Sequence, residues 1–245
     1  MAPVALAAVA ALLFAQGVVR LRRRGRADVA GWDRVVLFGL GLAMTLVALV
    51  GPMDGWSDNH LAVHMLQHVV IGDAAIAVMV FAVRGPLLVF LLPAPALVRV
   101  AKARPFFALL LWPRVAFGLW AANLAVWHVP YLYDLALRHD SVHYVEHACW
   151  VVAGLIVWTL LVDPGSHRRL TVGGRIALAA AMFAAGQVLT DLLVFSFHPL
   201  YPAYPGRTGQ QLAGVAMMAE QLVTLGAVAF VLLRPRMRAA RLVHA

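Results

Sequence analysis

The chain has 245 residues, of which 63% are apolar and 13% are charged, and its formal net charge is +9. A soluble domain averages roughly 45–50% apolar and about 25% charged residues, so this composition excludes a water-soluble enzyme, a DNA-binding domain and a disordered chain. The single cysteine, Cys149, excludes an internal disulfide framework and a Cys-x-x-Cys motif. We therefore expect an all-α, polytopic membrane protein.

Seven apolar stretches, taken in chain order, can cross a bilayer as helices, which requires about 20 residues each. They cover residues 1–19, 35–51, 61–83, 115–129, 143–162, 176–197 and 211–233. The fourth is short unless residues 106–112 contribute to it. The segment 85–107 is interrupted by Pro93 and Pro95, so we interpret it as an interfacial piece that does not cross. The sequence thus predicts one transmembrane domain, residues 1–245, built as a seven-helix bundle.

The positions of Lys and Arg predict the direction of the spans. With the N-terminus outside, the segments that fall inside hold 18 of the 20 basic residues, and only Arg138 and Arg207 fall outside. Positively charged residues stay on the cytoplasmic side during insertion, so we expect the N-terminus outside and the C-terminus in the cytoplasm. The net charge then reflects topology and contact with the anionic surface of the lipid bilayer, and no nucleic acid partner is expected.

Histidines concentrate on the predicted outer side. Of the ten, only His167 and His244 fall on the inner side. The outer ones include two triplets with the spacing His-x3-His-x3-His, at the starts of the third and fifth spans. The triplets are His60, His64 and His68, and His139, His143 and His147, and the other outer histidines are His128 and His198.

The spacing within each triplet suits shared metal binding. Residues four apart on a helix lie on one face, with Cβ atoms about 5–6 Å apart, so two imidazoles can reach one ion. The first and third members are about 12 Å apart along the axis, because each residue rises 1.5 Å. One ion therefore cannot take all three, and we expect a pair from each helix, or one pair with ligands from another helix.

The residue types near the triplets favour copper. Imidazole suits zinc, copper, iron and nickel, whereas thioether sulfur favours Cu(I), and Met65 lies inside the first triplet. The set predicts copper, as Cu(I) or Cu(II), with haem between two axial histidines as the second choice. A proton relay is the main alternative, because histidine titrates near neutral pH. The predicted ligands are His60, His64, His68, His128, His139, His143, His147 and Met65.

Three carboxylates fall within the predicted spans, and an ionisable group at that depth is a functional candidate by default. They are Asp73 in the third span, Asp191 in the sixth and Glu220 in the seventh. We expect them to line a polar cavity beneath the histidines, where they would bind metal, orient a ligand or carry protons. The alternative is that they form hydrogen bonds between helices and fix the packing.

Four short motifs together resemble the multi-spanning CtaG-type cytochrome c oxidase assembly factors over roughly residues 35–233. They are His-Met-Leu-Gln-His at 64–68, Trp-His-Val-Pro-Tyr-Leu-Tyr-Asp at 127–134, His-Tyr-Val-Glu-His at 143–147, and Gln-Gln-Leu-Ala-Gly at 210–214 followed by Met217. By motif, the resemblance adds Tyr133, Asp134, Glu146, Gln210 and Gln211 to the candidate residues. The family often has an Asp before the two glutamines, where this chain has Gly209.

The resemblance implies a non-enzymatic, multi-pass protein of the plasma membrane that delivers copper to the copper centre of cytochrome c oxidase. Its partners would be the oxidase subunits and the lipid bilayer, and a soluble copper donor is a further candidate. Three functional alternatives remain: a copper transporter or copper-tolerance protein, a haem-binding membrane oxidoreductase, and a structural subunit or scaffold whose histidines serve only for docking. If the missing Asp is a ligand in relatives, this chain would use Asp191 or Glu220 in its place.

Overall fold

The computed structural model describes the backbone of residues 2–243 and the side chains of residues 3–234, so His244 lies outside the described part. Within that part every regular element is helical, which confirms the all-α prediction. The α-helices are α1 (Ala2–Arg23), α2 (Trp32–Leu49), α3 (Pro52–Ser57), α4 (Leu61–Val69), α5 (Ala75–Ala82), α6 (Pro86–Phe90), α7 (Ala94–Lys102), α8 (Arg104–Leu110), α9 (Pro113–Trp127), α10 (Pro130–Arg138), α11 (Asp140–Val162), α12 (Val172–Phe195) and α13 (Arg207–Val243).

Among the residues that the structure describes, six helical segments are long and apolar enough to cross a membrane. They are Pro3–Arg23, Ala27–Leu49, Leu61–Ala82, Asp140–Val162, Val172–Phe195 and Arg207–Arg234. A seventh span requires α8 and α9 to act together, and these two helices are bent by 66° at the break between them. The length and apolarity of these segments fit a multi-pass membrane protein, as the composition predicted.

The fourth predicted span, residues 115–129, corresponds to α9, which is too short to cross alone. α9 has 15 residues and is therefore about 22 Å long, whereas the hydrocarbon core is about 30 Å thick. Pro113 begins α9, and a proline in the first turn cannot continue a preceding helix because it lacks the backbone N–H. The segment 85–107 contains α6, α7 and the start of α8, each of which has a proline among its first two residues and is too short to cross.

The Leu61–Ala82 segment is interrupted by a single π-helical turn, Val70–Ala74, which joins α4 to α5. Such a turn inserts one residue into the α-helical repeat and is frequent at functional sites. Asp73 lies in this turn and is buried. The third predicted span therefore consists of two α-helical halves, of which α4 carries the histidines.

α11 packs against the π turn and α5 of that span, and the two segments touch backbone to backbone at one point. A Cβ atom on Gly154 would fall on the carbonyl oxygen of Gly72, which lies in the π turn. Glycine at Gly154 therefore allows an approach that any other residue would prevent. Gly72 lies about one turn beyond His68 and Gly154 about two turns beyond His147, so this contact sets how closely α11 approaches the third predicted span near the histidines.

The core of the bundle lies between α4, α5, α9, α11, α12 and α13. Its largest buried side chains include Trp120, Trp158 and Met182. A separate apolar cluster attaches α1 to α2, where the rings of Phe14 and Phe38 stack with centroids 4.0 Å apart. α2 in turn packs on α5, so α1 and α2 form a peripheral layer of the bundle beside the third predicted span.

Candidate metal centre

α4 and the N-terminal part of α11 bring five polar side chains together. α4 contributes His64 and His68, and α11 contributes His143, Glu146 and His147. The spacing of three or four residues places each set on one helix face. The two faces meet because α11 packs closely on the third predicted span, which contains α4. We refer to these five residues as the outer cluster, after the side of the membrane on which the sequence predicts them.

The four imidazole rings of the outer cluster are in mutual contact across the helix pair. Between the helices, the ring centroids of His64 and His143 are 5.3 Å apart, and those of His68 and His147 are also 5.3 Å apart. Within each helix the centroids are separated by 4.5 Å in α4 and 4.1 Å in α11. The structure therefore brings together the second and third histidines of both triplets.

Four of these side chains have ligand atoms close enough to share one ion. One ligand atom from each of His64, His68, His143 and Glu146 lies within 4.8 Å of all the others. His68 Nδ1 is 3.6 Å from Glu146 Oε1, at side chains that are 2% and 1% exposed. The group comprises three imidazoles and one carboxylate, a donor set that suits a divalent or monovalent transition metal.

The hydrogen bonding of the outer cluster is incomplete among the described residues. Both nitrogens of His68, both oxygens of Glu146 and the Nε2 atoms of His64, His143 and His147 are buried without a hydrogen-bond partner. Each buried polar atom left unpaired costs about 1–3 kcal/mol. A bound cation would accept one lone pair from each ligand side chain, so the residues fit a metal as its ligands.

Three tyrosines lie beside the outer cluster at His64. The ring of Tyr133 lies 5.1 Å from that of His64, and Tyr204 Oη lies 3.4 Å from His64 Nδ1. Tyr204 donates a 2.6 Å hydrogen bond to the Ser57 carbonyl, and Tyr201 packs on Tyr133 at 4.2 Å. Burial raises the pKa of Tyr204 to about 12 and raises the pKa of Tyr133 above its usual value. These phenols therefore remain neutral hydroxyl groups at any physiological pH.

A cavity of about 390 Å³ leads from the surface to the outer cluster. Three carboxylates line it, Asp54, Asp58 and Asp140, together with His143 and His147. Carboxylates at the mouth of a cleft raise the local concentration of cations. We refer to this cavity as the acidic vestibule, and its geometry allows a cation to reach the imidazoles from the surface.

Two other predicted ligands, His60 and His139, are exposed and precede α4 and α11 by one residue. Met65 is completely buried in the apolar core. His128 follows α9, and its Nδ1 lies 2.7 Å from the Leu124 carbonyl. The His128 ring is 6.0 Å from Trp150, whose own ring stacks on His68 at 5.6 Å. His128 is thus separated from the outer cluster by one indole.

The two glutamines of the last motif bind backbone atoms. Gln210 donates to the Leu193 carbonyl at 3.0 Å and accepts from the Leu200 N–H at 2.6 Å, and Gln211 donates to the Val194 carbonyl at 3.1 Å. They therefore attach α13 to the end of α12 and to the loop that carries Tyr201. Asp134 lies 3.8 Å from Arg138 on the same helix.

The three intramembrane carboxylates lie in different environments. Asp73 is buried and accepts a 3.0 Å hydrogen bond from the Trp158 indole. Both carboxylate oxygens of Glu220 are buried and lack a hydrogen-bond partner among the described residues. Asp191 is on the exposed face of α12, where Gln187 donates to it at 2.8 Å. Asp191 therefore does not face the interior of the bundle, whereas the other two do.

Sequence reasoning did not identify five residues that shape this region. Tyr201 and Tyr204 lie in a loop with Pro199, Pro202 and Pro205, a pattern that indicates an ordered turn but not its contact with His64. The vestibule acids Asp54, Asp58 and Asp140 were missed as well, although Asp58 and Asp140 lie within two residues of a triplet histidine. Their proximity to histidine in the sequence was the available signal.

The fold and the outer cluster define a class: a polytopic helical membrane protein with a candidate metal centre reached through an acidic vestibule. The family model described as cytochrome c oxidase caa3 assembly factor (Caa3_CtaG) matches residues 12–239. The chain belongs to this family, which confirms the resemblance carried by the four motifs. No curated protein and no solved structure matches the chain.

Proposed function

We propose that this protein holds copper in the outer cluster and supports its delivery to the copper centre of cytochrome c oxidase. The observation that carries the proposal is the group of four ligand atoms, from His64, His68, His143 and Glu146, within 4.8 Å of one another. The family is one of cytochrome c oxidase assembly factors, which supports a partner in the oxidase machinery and a role without catalysis.

The proposal includes seven spans, with the N-terminus outside and the C-terminus in the cytoplasm, in the plasma membrane. The bent pair of α8 and α9 would form the fourth span. The basic residues support this direction, because 18 of 20 then lie on the cytoplasmic side. The outer cluster and the acidic vestibule would then face the side on which the copper centre is assembled.

Copper would enter as cargo through the acidic vestibule, where Asp58 and Asp140 attract the cation. His143 lines the vestibule and also belongs to the ligand group, so it would be the first deep ligand. His64 and His68 would complete the site from α4. His147 contacts His143 and provides a neighbouring donor, which suits a site that must later release its ion.

The decisive experiment measures copper bound by the purified full chain in mild detergent, titrated with Cu(I) and separately with Cu(II). The test variant replaces His64, His68, His143 and His147 with Ala, and we expect it to lose the bound copper. The matched control replaces His60 and His139 with Ala, because these belong to the same triplets but are exposed. Unchanged copper content in the test variant would refute the site.

A copper transporter is the second candidate, and one observation favours it. Asp73 and Glu220 lie inside the bundle, and α13 packs against the π turn that holds Asp73. They would extend a path for cations inward from the outer cluster. Copper flux into proteoliposomes would support transport, whereas binding without flux would support delivery to the oxidase. An optical spectrum of the purified protein tests the haem alternative, because bound haem gives a Soret band.

A further inference from the structure

A second polar cavity lies at the opposite end of the bundle, where α5 and α11 end and where α2 and α12 begin. It has a volume of about 450 Å³. Among the described residues, four arginines and one carboxylate line it. The arginines are Arg34, Arg84, Arg168 and Arg175, and the carboxylate is Asp163. We refer to this cavity as the arginine pocket. Its formal charge, four positive against one negative, is +3.

The one carboxylate of the arginine pocket is already engaged. Asp163 accepts a 2.7 Å bond from Arg175 and backbone N–H bonds from His167 at 2.8 Å and Arg168 at 3.0 Å. Arg34 donates to the Arg84 carbonyl, which holds the two arginines side by side. Arg175 Nε is buried without a hydrogen-bond partner among the described residues. The pocket thus has guanidinium donors and uncompensated charge that an anion would satisfy.

An apolar groove of about 350 Å³ continues from the arginine pocket along the bundle. It runs between α2, α5, α11 and α13, and Phe81 and Val162 line both cavities. Its other walls include Leu37, Val78 and Ala227. The Arg84 guanidinium lies 4.2 Å from the centre of the Phe81 ring, so this pair forms the boundary between the charged and the apolar part.

We propose that the arginine pocket and the apolar groove form one binding site for an anionic phospholipid. The phosphate of the headgroup would bind the guanidinium groups, which match phosphate geometry with two parallel hydrogen bonds each. One acyl chain would lie in the groove. Basic pockets between transmembrane helices on the cytoplasmic side are known to bind anionic headgroups, and the arginine pocket has that position in the proposed topology.

The two cavities together specify the class of lipid. A zwitterionic headgroup would bring an ammonium group that needs a carboxylate, and Asp163 is already engaged. Free phosphate would fill the arginine pocket but would leave the adjoining groove without a ligand. An anionic headgroup attached to an acyl chain satisfies both parts. This inference does not depend on copper binding, since none of its residues belongs to the outer cluster.

The first test measures lipid binding to the purified full chain by native mass spectrometry. Phosphatidylglycerol is the anionic probe, phosphatidylcholine the zwitterionic one and inorganic phosphate the headgroup alone. We expect phosphatidylglycerol to bind at least tenfold more tightly than phosphatidylcholine. Equal affinities for the two lipids, or displacement of phosphatidylglycerol by millimolar phosphate, would overturn the assignment.

The charge variant replaces Arg84 and Arg168 with Gln, which spares the buried pair of Arg175 and Asp163. We expect phosphatidylglycerol affinity to fall by about tenfold or more, because each arginine near an anionic lipid contributes substantially. The matched control replaces Arg99 and Arg104 with Gln, since both are exposed and lie on the same predicted side. Equal losses in the two variants would show general surface attraction and would overturn the pocket.

The groove variant, Ala227→Phe, fills the apolar part while all arginines remain. We expect it to lower phosphatidylglycerol affinity several-fold and to leave copper content unchanged. The control is Ala180→Phe, at an exposed position of α12 that does not line the groove. Thermal unfolding would show that both variants are folded. Full lipid affinity in a folded Ala227→Phe variant would overturn the acyl-chain part of the proposal.

Discussion

The two polar ends of the bundle differ in the charge of the ligand that each one suits. α11 joins them, running from His143 in the outer cluster to Val162 at the arginine pocket, a rise of about 28 Å. The outer cluster offers lone pairs from imidazole and carboxylate, with carboxylates at its entrance. The arginine pocket offers N–H donors and excess positive charge. The choice of ionisable side chain therefore decides whether each end suits a cation or an anion.

The ends also differ in what positions their side chains. The outer cluster depends on α11 being held in close contact with the third predicted span, so its geometry follows from helix packing. The arginine pocket depends on helix ends and on the loop from Asp163 to Arg168, in which Asp163, Ser166 and Arg168 adopt left-handed backbone conformations. Packing changes should therefore affect copper, whereas loop changes should affect lipid.

The largest effect is expected from separating α11 from the third predicted span at the contact between Gly154 and Gly72. A side chain at Gly154 would meet the Gly72 carbonyl, so Gly154→Val should force the helices apart. Overpacking a tight contact costs about 1–3 kcal/mol or more, and we also expect copper content to fall. Thermal unfolding and metal analysis would check this. The control, Gly118→Ala, adds a Cβ atom where nothing lies within 4 Å and should be close to neutral.

The next largest effect should come from the carboxylate of the ligand group. Glu146→Gln keeps the size of the side chain but removes a charged donor, so copper affinity should fall by about 10- to 100-fold. Glu220→Gln changes another buried carboxylate of the bundle and should leave copper affinity unchanged. Competition titration with a copper chelator measures both. Similar losses in the two variants would contradict the four-residue ligand group.

A change at Asp163 in the arginine pocket should have opposite effects on protein stability and on lipid affinity. Asp163→Asn tolerates the left-handed backbone at this position but removes the charge that pairs with Arg175. We expect a loss of about 1–3 kcal/mol in stability without lipid, and tighter phosphatidylglycerol binding because the competing carboxylate is gone. Copper affinity should not change. Weaker lipid binding in this variant would count against the arginine pocket as the anion site.

The smallest effect should be kinetic. Asp58→Asn with Asp140→Asn reduces the charge of the acidic vestibule, so copper should associate several-fold more slowly at low salt. The difference should shrink at high salt, because exposed charges are screened. Stopped-flow measurements at two ionic strengths would detect it. The control, Asp28→Asn with Asp33→Asn, alters two exposed acids near the other end and should have no effect on the rate.

The sequence predicted the helical class and the outer histidine pairs because both depend on local periodicity. Apolar runs identify spans, and the four-residue spacing places His64 with His68 and His143 with His147 on single helix faces. The same spacing also included His60 and His139, but both helices begin one residue later. Where a helix begins is decided by capping and loop geometry, which the triplet pattern does not contain.

Contacts between elements distant in the chain could not be predicted from one sequence. The Gly72 and Gly154 contact, the tyrosines over His64 and the convergence of four arginines each join segments that only tertiary packing brings together. The positions of Lys and Arg predicted topology, but not that Arg34, Arg84 and Arg175 share one cavity. Asp191 shows the same limit, since its depth was readable from the sequence but its outward direction was not.

The π turn at Val70–Ala74 makes the length of its span a functional constraint. Each residue advances an α-helix by about 100°, so the extra residue sets the angle between the two halves. Deleting one residue there would restore a regular helix and rotate His64 and His68 away from α11 while the lower half stayed packed. Single-residue insertions and deletions in this segment should therefore be tolerated less well than most substitutions.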